Sequence, residues 1–572
     1  MIKEIYKILR VNEKKYFYFI FLLLCLNSFF ELLTLVVFYP LLQILFENSY
    51  NYNYFNIIFE KLYLRDITLN KIIYFSLGLI LIIFFIKNFF YIYFVYHQNK
   101  FIKIIRKRIV NQLISKYIFS AYSSFFKKNL GNIVRNADLA KNFPTIATSL
   151  IIFYSEILVS FMLIGFLLNI EFKLTFSLII LLFLLIIIIK TFSKNKFYRL
   201  GVVSQKYSEL LNKIILQTFY NIREIKILRK ESFFASKVIK INDLEAENNF
   251  SRDVLLQLPK SIIEFVVIFI IIIVVISMIV IGYTKSEILV YSSLMAITSV
   301  RLMPSAIRIA TALQRLKYSQ SMNQTLIKEL ELKVENEKYS NKNLNKKLIT
   351  FKKNIIFSNV NFSYDNQKTV IKDLNFNIKK NYCIGIIGPS GSGKSTFIDL
   401  LIGLLKPTSG FIKFDDVTLN QKIHYWADKI SYVSQSPLFL NDTIENNIAF
   451  GINEKDINKK LIVEVSKKAQ IFNDIKKLKL NFKTKISEIS KNFSGGQLQR
   501  IAIARALYRN PELIIFDEAT NALDKFTEEA ILKTLKSLKK KITMIIISHN
   551  KNNLKICDKV YELKNKRLVN KY

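Results

Sequence analysis

Residues 382–405 read Tyr-Cys-Ile-Gly-Ile-Ile-Gly388-Pro389-Ser390-Gly391-Ser392-Gly393-Lys394-Ser395-Thr396-Phe-Ile-Asp-Leu-Leu-Ile-Gly-Leu-Leu. An apolar run (382–387) predicts a buried strand, and a second one (397–405) predicts a helix. Between them lies a loop in which glycine recurs at every second or third place. Glycine lets backbone N–H groups approach an anion closely, and the helix N-terminus that follows favours negative charge. Lys394 at the loop's end is placed to neutralise β- and γ-phosphates, and the Ser395 hydroxyl to ligate Mg²⁺. Residues 388–396 are therefore expected to cradle a nucleotide phosphate chain inside an α/β domain.

Working outward, Leu513-Ile-Ile-Phe516 predicts a buried strand that ends in Asp517 and Glu518. Asp517 is expected to hold Mg²⁺ and Glu518 to polarise the attacking water. Asn492-Phe493-Ser494-Gly495-Gly496-Gln497 precedes a helical run (498–507). Those residues resemble the signature motif of the ATP-binding cassette (ABC) transporters. The resemblance implies roles for further residues. Tyr364 corresponds to the aromatic that stacks on adenine, and Gln435 to the glutamine that contacts Mg²⁺ and water. Asp524, in Asn521-Ala-Leu-Asp524, belongs to a loop between the two nucleotide sites, and His549 is the switch histidine on the γ-phosphate. Ser494, Gly495, Gly496 and Gln497 would meet the nucleotide bound to a second copy, so a homodimer enclosing two ATP and Mg²⁺ is expected. This sequence departs from the family pattern at Phe493, where Leu is usual, and at Asn521, where Ser is usual. It also lacks the Gly-rich stretch before the signature, keeping Glu488 at the position expected to touch the membrane domain.

The other half of the chain is apolar. Six long stretches, near 16–39, 72–96, 146–170, 172–192, 261–283 and 288–312, are each long enough to cross a hydrocarbon layer of about 30 Å as a helix. The first carries Glu31 and lacks a small-residue cleavage site, so it reads as a retained span. Lys and Arg number five in residues 1–15, ten in 97–145 and thirteen in 193–260, against three in 40–71. That bias places both termini of the multi-pass chain in the cytoplasm; a bacterial inner membrane is what the family resemblance implies. The connections after spans three and five are tiny, while the inner ones are long and helical, so spans should continue as helices into the cytoplasm. Phe55, Ile58, Phe59 and Leu62 recur at helical spacing within 51–64, predicting an amphipathic helix on the outer surface. Phe125, Phe126, Gly131 and Arg135, and then residues 213–223, resemble the family's two coupling regions. Residues 335–347 are charged and Asn-rich, which reads as linker. The expected domains are a six-helix transmembrane domain over 1–325, a linker over 326–348 and an α/β P-loop cassette over 349–572.

With 83 Lys and Arg against 43 Asp and Glu, the formal charge is +40. The concentration of basic residues on inner loops points to a membrane surface and away from nucleic acid. Three cysteines without a Cys/His cluster exclude a disulfide scaffold or a zinc site. Ionisable residues within spans are costly and mark function. Lys87, Lys260, Arg301 and Arg308 are therefore the candidate cargo residues, a basic wall suited to a diphosphate headgroup. Val300-Arg-Leu-Met-Pro304-Ser-Ala-Ile-Arg308 resembles the sixth span of bacterial flippases for polyprenyl-diphosphate-linked oligosaccharide, which implies a lipid-linked glycan cargo. Lys87 and Lys260 stand where those flippases carry Arg. Exporters of lipid A, phospholipid or peptide share the layout. With fifteen residues before the first span, an N-terminal peptidase is not expected.

Overall fold

The computed structural model describes residues 9–47, 69–127, 130–170, 172–331, 351–364, 369–415, 417–419, 426, 428–489, 493–519 and 525–571. The outer amphipathic segment at 51–64 and the Asn521–Asp524 loop lie outside these residues. The chain divides into two compact units, Met1–Ser120 with Ser124–Tyr339, and Ala121–Ser123 with Ser340–Tyr572.

The first unit is entirely helical: α1 Val11–Glu47, α2 Leu69–Ile118, α3 Leu130–Asn142, α4 Pro144–Ile170, α5 Phe172–Tyr220, α6 Ile222–Ile227, α7 Glu231–Ile281, α8 Lys285–Tyr318 and α9 Gln320–Glu331. The six apolar stretches coincide with α1, α2, α4, α5, α7 and α8, the fifth running two residues past the end of α7. Five described helices are long and apolar enough to cross a membrane: Val11–Tyr39, Ile73–Ile118, Gly131–Ile170, Glu231–Ile281 and Lys285–Tyr318. The fourth expected span is the opening of α5, where the described side chains begin only at Asn195. At 1.5 Å per residue α2, α5 and α7 are each about 75 Å long, more than twice a hydrocarbon layer. The expected helical extensions are thus present. α9 carries the helical unit beyond the boundary expected at residue 325.

Helix α7 shows why this unit suits lipid. Ile263, Ile270, Val274 and Met278 are buried, yet Phe265, Ile268, Phe269, Ile272 and Ile276 on the other faces are exposed. Water would oppose that much open apolar surface, whereas acyl chains match it. The turn into α8 is tight. Gly282 ends α7 at φ +91, a left-handed conformation open to glycine, and its N–H reaches back to Met278 and Ile279. Thr284 then caps α8 in a reciprocal box with Glu287. Both helices run unbroken through their internal prolines, Pro259 and Pro304.

The second unit carries two sheets. One is antiparallel, in the order β2 (Thr369–Lys379), β1 (Asn354–Ser363), β4 (Ser409–Phe414), β5 (Val417–Thr418). The other has the order β10 (Arg567–Asn570), β9 (Lys559–Lys564), β3 (Cys383–Ile387), β8 (Thr543–Ile547), β7 (Leu513–Asp517), β6 (Ile430–Val433). Strands β9, β3, β8, β7 and β6 are mutually parallel, and β10 pairs antiparallel. The continuous apolar runs of β3, β7 and β8 follow from burial on both faces. Beneath one face Phe357, Phe397, Trp426 and Ile515 form a core; beneath the other, Ile444, Ile501 and Phe516 do. The expected fold class, a helical membrane domain followed by an α/β P-loop cassette, is the one observed.

One glycine is required by close approach. A Cβ at Gly201 of α5 would collide with the carbonyl oxygen of Tyr318, the last residue of α8. Gly201→Ala has to push two helices apart, at a cost of about 1–3 kcal/mol. A lower first thermal transition in detergent is expected, and an unchanged one would show that the contact is dispensable.

Candidate nucleotide site

The P-loop joins β3 to α10 (Lys394–Leu401). Gly391 and Gly393 hold φ of +76 and +105, and a Cβ at Gly388 would meet the Leu563 carbonyl and the Ser392 hydroxyl below 3.0 Å. Glycine is needed here to bring three backbone amides into one concave loop. Two observations fit this loop to a phosphate chain. The Ser392 hydroxyl is buried without a hydrogen-bond partner, and Lys394 folds its ammonium onto the loop's own carbonyls, Gly388 at 2.6 Å and Pro389 at 3.0 Å. An anion supplies what both groups lack. Tyr364 is half exposed and its hydroxyl lies 3.0 Å from Thr396 at the start of α10, so it stands beside the loop as the adenine-stacking role requires.

Gln435 follows β6, Asp517 and Glu518 end β7, and His549 follows β8. Parallel register carries all three strand ends to one edge: Val433 pairs with Phe516, and Asp517 with Ile547. There the Glu518 carboxylate accepts from Gln435 Nε2 at 2.8 Å and lies 3.0 Å from His549 Nε2. Its N–H donates to Ile547, and its φ of +51 turns the side chain out of the strand direction. A non-glycine residue in this region is strained, and such strain collects at functional sites. The Glu518 carboxylate therefore meets both of the other candidate catalytic residues, Gln435 and His549.

Asp517 accepts a hydrogen bond from the Tyr432 hydroxyl at 2.9 Å. Burial pushes its carboxyl up, opposed by that hydrogen bond; the neighbouring Glu518 raises it further and Lys394 lowers it. Such a buried carboxylate gains from a cation. Among the described residues no group of three His, Cys, Asp or Glu could hold a metal. The donors present instead are the Ser395 hydroxyl, the Gln435 carboxamide and Asp517, an oxygen set that suits Mg²⁺ completed by phosphate and water. A second acid, Asp399 of α10, is pushed up to about 6 by burial and by the charge of Asp517.

The signature caps α13 (Gly495–Tyr508, after α11 Ile444–Ile448 and α12 Lys459–Lys468). Ser494 accepts from the Gln497 N–H, and the Gln497 side chain accepts from the Ser494 N–H, closing a reciprocal box. Gln497 also donates to Asp474, which holds Arg500. The Gln497 side chain is therefore occupied at the helix start, while Ser494, Gly495 and Gly496 form the N-terminal turn. Gln499 donates to Ser434 and Ser431 donates to Ala506, so α13 runs antiparallel along β6. Since β8 and β7 lie between β3 and β6, the strands bearing P-loop and signature helix are about 14 Å apart.

Two of the basic cargo candidates have acidic partners within the chain. Lys87 is buried and paired with Glu31 of α1 at 3.0 Å. Arg308 is paired with Glu156 of α4 at 2.6 Å. Lys260 is exposed, and the Arg301 side chain lies outside the described ones. Arg135, in the first coupling region, pairs with Glu209. Sequence reasoning missed Glu156, Asp399, Tyr432 and the role of Glu31 as a partner. An acid within a membrane span or an apolar helical run marks Glu31, Glu156 and Asp399 on inspection. Tyr432 is the one exposed position of an otherwise buried strand.

A helical unit with membrane-length spans and a P-loop ATPase-type cassette together define a membrane transporter class. The family described as "ABC transporter transmembrane region" matches residues 17–302, half the chain, and that described as "ABC transporter" matches 371–521. The chain belongs to the ABC transporters. It is 38% identical over 211 residues to a probable ABC transporter ATP-binding/permease protein of Haemophilus influenzae, covering 37% of this chain and 38% of that protein. It is 37% identical over 219 residues to the ATP-dependent lipid A-core flippase of Coxiella burnetii, covering 38% and 37%. A lactococcin-A transport/processing ATP-binding protein of Lactococcus lactis is 27% identical over 465 residues, covering 78% of this chain and 62% of that one. Each match spans less than two thirds of the relative's length. The structure of a bacterial Atm1-family ABC exporter with ATP bound shares the fold, with TM-score 0.78, 18% identity, and coverage of 97% and 94%.

Asp399 gives the site a pH signature. Its proton is held more tightly folded than unfolded, so its ionisation destabilises the fold above about pH 6, and the penalty fades toward pH 4. Asp399→Asn should stabilise the nucleotide unit at pH 7.5 by about 1 kcal/mol, after discounting for its partial exposure, and hardly at pH 4.5. The single tryptophan, Trp426, is buried in this unit and reports its unfolding by fluorescence. Equal gains at both pH values would contradict the assignment.

Proposed function

We propose that the chain is an ATP-driven exporter that flips a polyprenyl-diphosphate-linked oligosaccharide or related glycolipid across a bacterial inner membrane. It works as a homodimer with two ATP sites, multi-pass, with both termini cytoplasmic. The observation that carries the ATPase half is the Glu518 carboxylate held between Gln435 and His549 at the sheet edge that bears the P-loop. Glu518 accepts hydrogen bonding from the attacking water and polarises its oxygen toward the γ-phosphorus. Gln435 and His549 fix the carboxylate, and Lys394 leaves its loop carbonyls for the phosphates. Mg²⁺, held through Ser395, Gln435 and Asp517, neutralises phosphate charge when bound. Because P-loop and signature helix stand on well-separated strands, one chain offers one half of each of two sites, and a second copy supplies the other halves. Closure around ATP then moves the paired helical units, and hydrolysis resets them.

Cargo is read from the spans. Of the four basic candidates, Lys87 is met by Glu31 and Arg308 in part by Glu156; Lys260, Arg301 and the open edge of Arg308 are the groups proposed to meet an anionic headgroup. The sixth-span resemblance favours a lipid diphosphate. Relatives named as a lipid A-core flippase and a lactococcin transporter support lipid A, another lipid or a peptide as the alternative cargo. Nucleic acid is not a proposed partner, since the basic residues cluster on segments beside the spans.

Purified protein in liposomes should flip a polyprenyl-diphosphate oligosaccharide only with ATP. Glu518→Gln should bind ATP yet lose hydrolysis by about 10²-fold or more and lose flipping with it. Hydrolysis without flipping of this lipid would redirect the search to other lipids and peptides. Normal hydrolysis by Glu518→Gln would contradict the assignment of the base.

A further inference from the structure

Among the described residues two ion pairs join helices within the apolar stretches, and they differ in one respect that assigns them different work. Lys87 and Glu31 are both sealed, with side chains 5% and 12% exposed. In the second pair Glu156 is sealed at 13%, but Arg308 is 48% exposed. Glu156 takes the Nε edge of the guanidinium, receiving Nε at 2.6 Å and one terminal nitrogen at 3.1 Å. A guanidinium has five N–H donors in a fixed fork, so this clasp leaves the other edge of Arg308 directed to the open side.

The geometry points to Glu156 as an internal counter-ion that occupies Arg308 while no cargo is bound and yields it to a cargo phosphate. This rests on the proposed anionic-lipid cargo. A lone guanidinium among apolar helices is costly, and a lone carboxylate equally so. Paired side-on and bidentate, both are satisfied at rest. A diphosphate carries more negative charge than one carboxylate and presents oxygens to the same fork, so it can capture Arg308 from the exposed edge. When the cavity changes shape, Glu156 reclaims the guanidinium and the phosphate leaves without stranding a bare charge. The sealed Lys87–Glu31 pair has no exposed edge and acts as a fixed staple between α1 and α2. Glu156 is thus a specificity and release residue that acts through Arg308.

Such a role lowers cargo affinity and raises turnover, which a purely structural pair would not do. The test uses the full-length protein in nanodiscs, measuring ATPase activity against a long-chain polyprenyl diphosphate, with the uncharged polyprenol as control. Glu156→Gln keeps the shape and removes the competing charge. Its half-stimulating concentration should fall about tenfold, the worth of one charge-assisted hydrogen bond, and its maximal stimulated rate should fall as well. Glu156→Asp should lie between this variant and wild type, and Arg308→Ala should raise the half-stimulating concentration. Thermal unfolding identifies any variant that fails to fold, in which case Glu156→Asp alone decides by the direction of its shift. If wild type is stimulated but both Glu156 variants match it or weaken like Arg308→Ala, the counter-ion role is overturned while the cargo class stands. If the diphosphate stimulates wild type no better than polyprenol, the cargo reading fails and takes this inference with it.

Discussion

Parallel pairing of β3, β8, β7 and β6 is the constraint on which the nucleotide chemistry depends. Parallel strands in register end together, so residues far apart in sequence emerge at one edge. The P-loop, His549, Glu518 and Gln435 follow in that spatial order, although their sequence order is different. A slip of one residue in any pairing would turn Glu518 to the other face and part it from Gln435 and His549. The apolar runs that look like mere core, Ile384–Ile387 and Leu513–Phe516, therefore set the distances within the site.

In the helical unit the controlling physics is the absence of water around the spans. Helices satisfy their own backbone groups, and their outward apolar faces need no partner of protein origin. Charge is the exception, and each described span charge that has a resolved partner meets an opposite charge on another helix. The Lys87–Glu31 and Arg308–Glu156 pairs tie α2 to α1 and α8 to α4. A buried pair contributes little net stability, but losing one partner strands the other. Pairing of this kind suits helices that must keep register while their surroundings change.

Much of this was legible in the residues alone. The six apolar stretches located all six long helices, because length and the lack of charge decide a span without reference to its neighbours. The phosphate loop, the Asp517-Glu518 pair and the signature were readable because each is a local pattern tied to a strand end or helix start. What escaped was non-local. Glu156 is 152 residues from Arg308, and nothing in local pattern says that α4 and α8 meet there. The acidic partners of Lys87 and Arg308 are therefore not readable from the sequence. Tyr432 and Asp399 flank Asp517 only once the sheet has formed.

In the proposed homodimer two copies of this chain complete each nucleotide site, since one chain keeps its P-loop after β3 and its signature at the start of α13 beside β6. The direct test introduces Cys at Ser390 and at Ser494 in a Glu518→Gln background freed of Cys25, Cys383 and Cys557, then applies a short bis-maleimide. Covalent dimers that form with Mg-ATP and not without it are the predicted result. Chains that remain monomeric on a denaturing gel with ATP bound would contradict the shared-site account.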